Sequence, residues 1–244
     1  MTESEGERTT AATTWWPLVV AVGLLTVSNV VANELLPSPL YVPWNLTMAA
    51  ALLAVARHDG CSRIELGLHR AQLRRGVRWG AVLYVGVLVI YVVAAFLPPT
   101  RDLFRDERVG DVPFWGMAYQ VVLRIPLGTV LLEEVAFRGV VPALTARRTT
   151  LGRAIVFSSA LFGLWHILPA LGIAGVNPAF EDLFGSGLGS VVAVVGAVLA
   201  TFVAGLFMTW VRYRSDSLLA PVLLHTATNS LGYLVAWSVF HFDW

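Results

Sequence analysis

Six side chains in three short stretches could do chemistry together: Glu133, Glu134 and Arg138 in LLEEVAFRG, His166 in FGLWH, and His225 and Asn229 in HTATN. Each stretch is otherwise apolar, and a charge at the centre of a membrane helix costs roughly 2.5–3.5 kcal/mol on insertion scales. Such residues need partners. Glu134 and Arg138 are spaced i, i+4 and share one helix face, which suits a carboxylate–guanidinium pair. Glu133 projects about 100° away, at 3.6 residues per turn, and stays available. His225 and Asn229 are also i, i+4, and Phe162 stands one turn before His166 as an aromatic wall. The chemistry these groups suit is hydrolysis. A buried carboxylate can take a proton from water near neutral pH, and a histidine can share that water or hold a metal that acidifies it. The second histidine and the asparagine can donate to the oxyanion of a tetrahedral intermediate, a contribution of about 2.7–4 kcal/mol per donor. No GxSxG nucleophile, aspartate pair or HExxH zinc signature is present.

The elements that must position these groups are membrane helices. Of 244 residues, 57% are hydrophobic and 14% charged, and the mean hydropathy is +0.69, whereas soluble domains carry about 25% charged residues. Apolar runs of the roughly 20 residues a crossing needs fall near 15–36, 41–57, 77–97, 114–145, 151–173, 188–211 and 217–240. The expectation is an all-α polytopic membrane protein, a bundle of seven transmembrane helices with a central polar cavity open to the cytoplasmic side. An eighth short helix results if the long fourth run breaks at Pro126, since proline removes a backbone donor and clashes with the preceding turn. Residues 1–14 read as a disordered tail and 15–244 as one transmembrane domain, with 114–232 its catalytic core.

All 17 basic residues are arginine. Twelve fall on one side of the predicted spans: Arg8, the six of the 57–78 loop, Arg147, Arg148, Arg153, Arg212 and Arg214. Only Arg101, Arg105 and Arg108 fall on the other. Because cytoplasmic loops are enriched in Lys and Arg, the amino terminus is expected inside and the carboxyl terminus outside. Measured from the cytoplasmic ends at 1.5 Å per residue, Glu133, His166 and His225 then lie about 20, 20 and 14 Å deep. Three separate helices bring ionisable groups to one level.

Taken in order, EEVAFRG (133–139), FGLWH (162–166) and HTATN (225–229) resemble the three motifs of the CPBP family of intramembrane proteases, the CAAX protease and bacteriocin-processing family. IELGLHR and the segment leading into HTATN extend the resemblance over about residues 60–232. It implies an endopeptidase whose site lies inside the membrane. Glu133 would be the water-activating base with His166 as its partner, Glu134 and Arg138 would hold the site together or meet the substrate carboxylate, and His225 and Asn229 would form the oxyanion site or ligate a metal. Family members are widely described as metalloproteases, and Glu133, His166 and His225 match a catalytic zinc set with an open position. Water activation by Glu133 and His166 without metal is the other route. Partners are the lipid bilayer and a membrane-associated or lipid-modified peptide or protein.

Other classes are weighed by what they would require. A net charge of +1 offers no clustered basic face for nucleic acid. A proton- or ion-coupled transporter would need ionisable groups continuing to the outer side, where few are found; a non-catalytic membrane partner or immunity protein on the same scaffold is the third reading. Arg124 reads as snorkelling to the outer interface, residues 60–76 either as an amphipathic interfacial helix or as a solvated cytoplasmic loop, and Gly185–Gly189 as a GxxxG spacing at a helix start or simply a loop. The single cysteine, Cys61, has no partner for an intrachain disulfide.

Overall fold

The computed structural model describes residues 14–101, 104, 109–174 and 188–242, and among them every regular element is helical. The expected tail (1–14) falls almost wholly outside the described residues, as do Arg105, Arg108 and most of the 185–189 glycine stretch. Helices α1 (Trp16–Val30), α2 (Tyr41–His58) and α3 (Arg70–Phe96) precede the continuous helical stretch 114–146, here α4. Helix α5 (Leu151–Trp165) is continued past His166 by Ile167–Ala174; α6 (Leu188–Ser215) and the stretch 219–241, here α7, complete the chain. Among the described residues, five helices are long and apolar enough to cross a membrane: Trp16–Leu35, Ser38–His58, Arg70–Phe96, Leu151–Gly172 and Leu188–Ser215. The remaining two expected spans, α4 and α7, are helical throughout and carry the buried Glu133, Glu134, Arg138 and His225.

Proline does not break the fourth run. The backbone passes through Pro126 in a π-helical segment, Gln120–Val130, whose wider turn shifts the hydrogen-bonding ladder around the missing N–H. The eighth helix expected from a break there is therefore not formed. Further π segments, Val135–Val140 and Ala227–Leu231, fall in the first and third motifs.

Of the two readings of 60–76, interfacial helix or loop, the structure divides the segment between them. Residues 59–69 form turns, and helix begins only at Arg70. Gly60 and Gly67 sit at φ +82° and +72°, left-handed positions that end a right-handed helix and favour glycine. Between them Ser62 and Glu65 cap each other: the Ser62 N–H donates to Glu65 Oε2 (2.7 Å) and the Glu65 N–H to Ser62 Oγ (3.1 Å). The turn is pinned from outside, because Arg212 donates to the Glu65 carbonyl (2.9 Å) and the Leu218 N–H to the Gly67 carbonyl (3.0 Å).

At this end of the bundle the arginine-rich segments meet. Arg148 pairs with Asp59 and donates to the Thr14 carbonyl, Arg147 pairs with Asp59 and Glu65, and Arg75 pairs with Asp216. Helix contacts below this layer are close. A Cβ on Gly76 or Gly80 would stand 2.3 Å from Ser217 or 2.5 Å from Leu223, so α3 lies directly on α7. A Cβ on Gly163 would stand 2.8 Å from the Val198 carbonyl of α6. The apolar core, including Leu25, Leu52, Leu132, Phe137, Leu144 and Phe162, fills the space between α1, α2, α4 and α5.

Cys61 is fully buried in the turn region. Burial, and then the neighbouring Glu65 carboxylate, push its thiol up to about 11. Thiolate is the reactive form, so at pH 8 the folded protein should label with a maleimide at least about a hundredfold more slowly than the detergent-denatured chain, as read by intact mass.

Candidate active site

The first motif lies in the buried middle of α4. Glu133 and Glu134 occupy a single α-helical turn, Leu131–Glu134, and Arg138 follows in the π segment. Glu134 is fully enclosed and its Oε1 serves two partners. Arg138 Nη1 lies 3.0 Å away as an ion pair, although not aligned as a hydrogen bond, and His225 Nδ1 donates across from α7 at 2.7 Å. The guanidinium is held from its other sides by Met208 Sδ (3.2 Å) and by the face of Phe162, 4.0 Å from the ring centre. A buried ion pair with a missing partner is costly; here an imidazole, a thioether and an aromatic face surround the carboxylate–guanidinium pair, while Glu134 Oε2 and Arg138 Nε have no hydrogen-bond partner.

Glu133 is free of that cluster, as its angular offset predicted. Its Oε1 accepts from Trp165 Nε1 at 3.0 Å, while Oε2 is buried with no hydrogen-bond partner and lies 3.8 Å from His225 Nε2. His225 Nε2 is also 3.1 Å from Asn229 Nδ2. Since Nδ1 faces a carboxylate and carries the proton, Nε2 of the neutral ring is an acceptor, and Asn229 donates one amide hydrogen to it and keeps the other.

His166 arrives from α5 at the point where that helix ends. Its φ and ψ of −85° and 1° lie in the sparsely populated bridge region common among active-site residues, and helix resumes at Ile167. Nδ1 lies 2.8 Å from the Phe162 carbonyl, which can only accept. The neutral ring is thereby fixed with its proton on Nδ1 and its Nε2 lone pair available. Phe162 stands between the imidazoles, its ring centre 4.7 Å from His166 and 6.2 Å from His225. Glu133, His166 and Asn229 all line one cavity of about 210 Å³, together with Tyr41, Asn45 and Thr129. That volume holds several waters or a peptide unit.

All six residues singled out in the sequence thus belong to one connected site. Trp165, which holds Glu133, was missed, although its position next to His166 and its need for an acceptor when buried were signals. Met208 carried no signal. Arg124 does more than snorkel: its guanidinium lies 4.2 Å from the centre of the Tyr41 ring, behind the cavity wall. Of the expected zinc set Glu133, His166 and His225, Glu133 Oε2 and His225 Nε2 lie 3.8 Å apart. Among the described residues no three His, Cys, Asp or Glu side chains are gathered to hold a metal ion, and the two nitrogens of His225 lie against Glu134 and Asn229.

Fold and site together define a helical membrane protein whose carboxylate–imidazole–amide centre has buried Glu133, Glu134 and His225 beside a half-buried His166 and an exposed Asn229. Residues 115–231 match the family model described as type II CAAX prenyl endopeptidase, Rce1-like, consistent with the CPBP family. That family implies a protease, and all six site residues fall within the matched segment. No curated protein and no solved structure matches the chain significantly.

Removing the charge that neutralises Glu134 should be severe. Arg138→Met leaves a fully buried carboxylate with only His225, a class of change that costs roughly 3–5 kcal/mol; thermal unfolding in detergent should show a clearly lower midpoint.

Proposed function

We propose that this chain is an intramembrane endopeptidase that hydrolyses peptide bonds of membrane-associated or lipid-modified proteins with water activated by Glu133 and His166. The observation that carries the reading is the unpartnered, buried Oε2 of Glu133, a residue that lines one cavity with His166 and Asn229. A water there donates one hydrogen to Glu133 and the other to His166 Nε2. Glu133 takes the proton as the oxygen attacks the scissile carbonyl, and returns it to the leaving amide nitrogen when the C–N bond breaks. The free amide hydrogen of Asn229, whose other hydrogen is fixed on His225, meets the oxyanion. Glu134 and Arg138 hold His225, and through it Asn229, in place. No step passes through a metal.

The reading includes the finer topology: seven crossings, the amino terminus in the cytoplasm and the carboxyl terminus outside; the cavity expected to open to the cytoplasmic side is instead lined by Ala32, Asn33 and Tyr41 at the α1–α2 connection, away from the arginine layer. Two observations support it, the arginine excess on one side of the predicted spans and the ionic layer that ties Thr14, Asp59, Arg75, Arg147, Arg148 and Asp216 together.

Glu133→Gln preserves shape and removes the base. Cleavage of a fluorogenic prenylated peptide ending in Cys-aliphatic-aliphatic-X, or of a transmembrane peptide, should fall at least about a thousandfold, with the thermal midpoint unchanged or raised; undiminished cleavage would sink the proposal. Chelation by EDTA or phenanthroline should leave the wild-type rate within about twofold. Loss of activity with recovery on adding zinc would instead bring a metal into the mechanism.

A further inference from the structure

Helix α2 contributes to none of the three motifs, yet it places Asn45 in the wall of the same cavity as Glu133, His166 and Asn229. Asn45 is 2% exposed, and its Oδ1 is buried with no hydrogen-bond partner. The other polar groups on that wall are engaged: Tyr41 Oη with Thr129 Oγ1 at 3.1 Å, and Asn33 Nδ2 with Asn29 Oδ1 at 2.7 Å. A buried carboxamide without a partner destabilises a fold, and leucine or alanine would avoid that cost in an apolar helix. Glu133 and Asn45 thus line one cavity, each with a buried acceptor that lacks a partner, Oε2 and Oδ1, and two acceptors cannot satisfy each other. The missing species is a donor. Water serves Glu133 in the reaction, whereas a carboxamide, with an acceptor and a donor side by side, matches a peptide unit.

We propose that Asn45 is a substrate-binding residue, whose carboxamide takes the backbone N–H of a peptide unit beside the scissile bond and sets the extended substrate across Glu133. The assignment rests on the peptidase reading above. It gives the cavity a side opposed to the catalytic motifs, contributed by a helix that carries no motif.

The test uses the full-length Glu133→Gln protein in nanodiscs, which binds without turnover, and a fluorescent farnesylated peptide ending in Cys-aliphatic-aliphatic-X as the probe. Adding Asn45→Leu should weaken the Kd about tenfold or more without lowering the thermal midpoint, because the change removes an unsatisfied polar group. In a series of probes with single backbone N–H groups replaced by ester oxygen, one position should weaken binding to the Asn45 protein by a similar factor and leave the Asn45→Leu protein unaffected. A Kd within twofold, no sensitive ester position, or no saturable binding by the Asn45 protein overturns the assignment. Should Asn45→Leu fail to fold, the ester series on the Asn45 protein decides alone. Undiminished cleavage by Glu133→Gln would sink the peptidase reading itself, whereas an inactive Glu133→Gln with an unchanged Kd sinks only the role of Asn45.

Discussion

Everything at the centre of this protein depends on one fully buried carboxylate, Glu134, holding two cation-capable groups from different directions. Arg138 reaches it from one turn along the same helix and His225 from across the bundle. Desolvating a charge is costly, and only a nearly complete set of partners offsets the penalty. The same set fixes geometry: Arg138 is pressed on Phe162, Phe162 packs beside both imidazoles, and His225 orients Asn229. Neutralising one glutamate leaves its neighbour, Glu133, with an unclaimed oxygen.

The helices that carry the site are irregular where they carry it. Arg138 and Asn229 lie in π segments, and His166 sits at a break between two helical pieces. Such departures free backbone groups, and in an apolar setting these need partners. The Phe137 carbonyl accepts from Ser158 at 2.6 Å, and the Phe162 carbonyl is taken by His166 itself. The second of these contacts also selects the imidazole tautomer, so backbone irregularity and side-chain chemistry are one arrangement.

Away from the site, the structure is held at one end by ion pairs and along its length by close helix contacts. Burial of Arg212 against the 59–69 turn anchors the entry to α3 beside the entry to α7. Gly76 and Gly80 then let those two helices touch, and His225, on α7, is carried to Glu134.

Much of this was legible along the chain. Hydrophobic run length dictates membrane helices, and i, i+4 spacing dictates that Glu134 meets Arg138 while Glu133 points elsewhere; both follow from local geometry. Depth counting brought His225 to the level of the acids, because rise per residue is nearly constant. The sequence by itself therefore determined the helical class, the six polar residues and their pairing within helices. Only the tertiary structure decided that His225 bonds Glu134, that Trp165 holds Glu133, that Asn45 faces the cavity, and that helix passes Pro126 yet stops before Arg70. Those outcomes turn on rotation of one helix about its axis against another and on where π turns and left-handed glycines fall. Packing across the bundle sets these, and no spacing within a single segment records them.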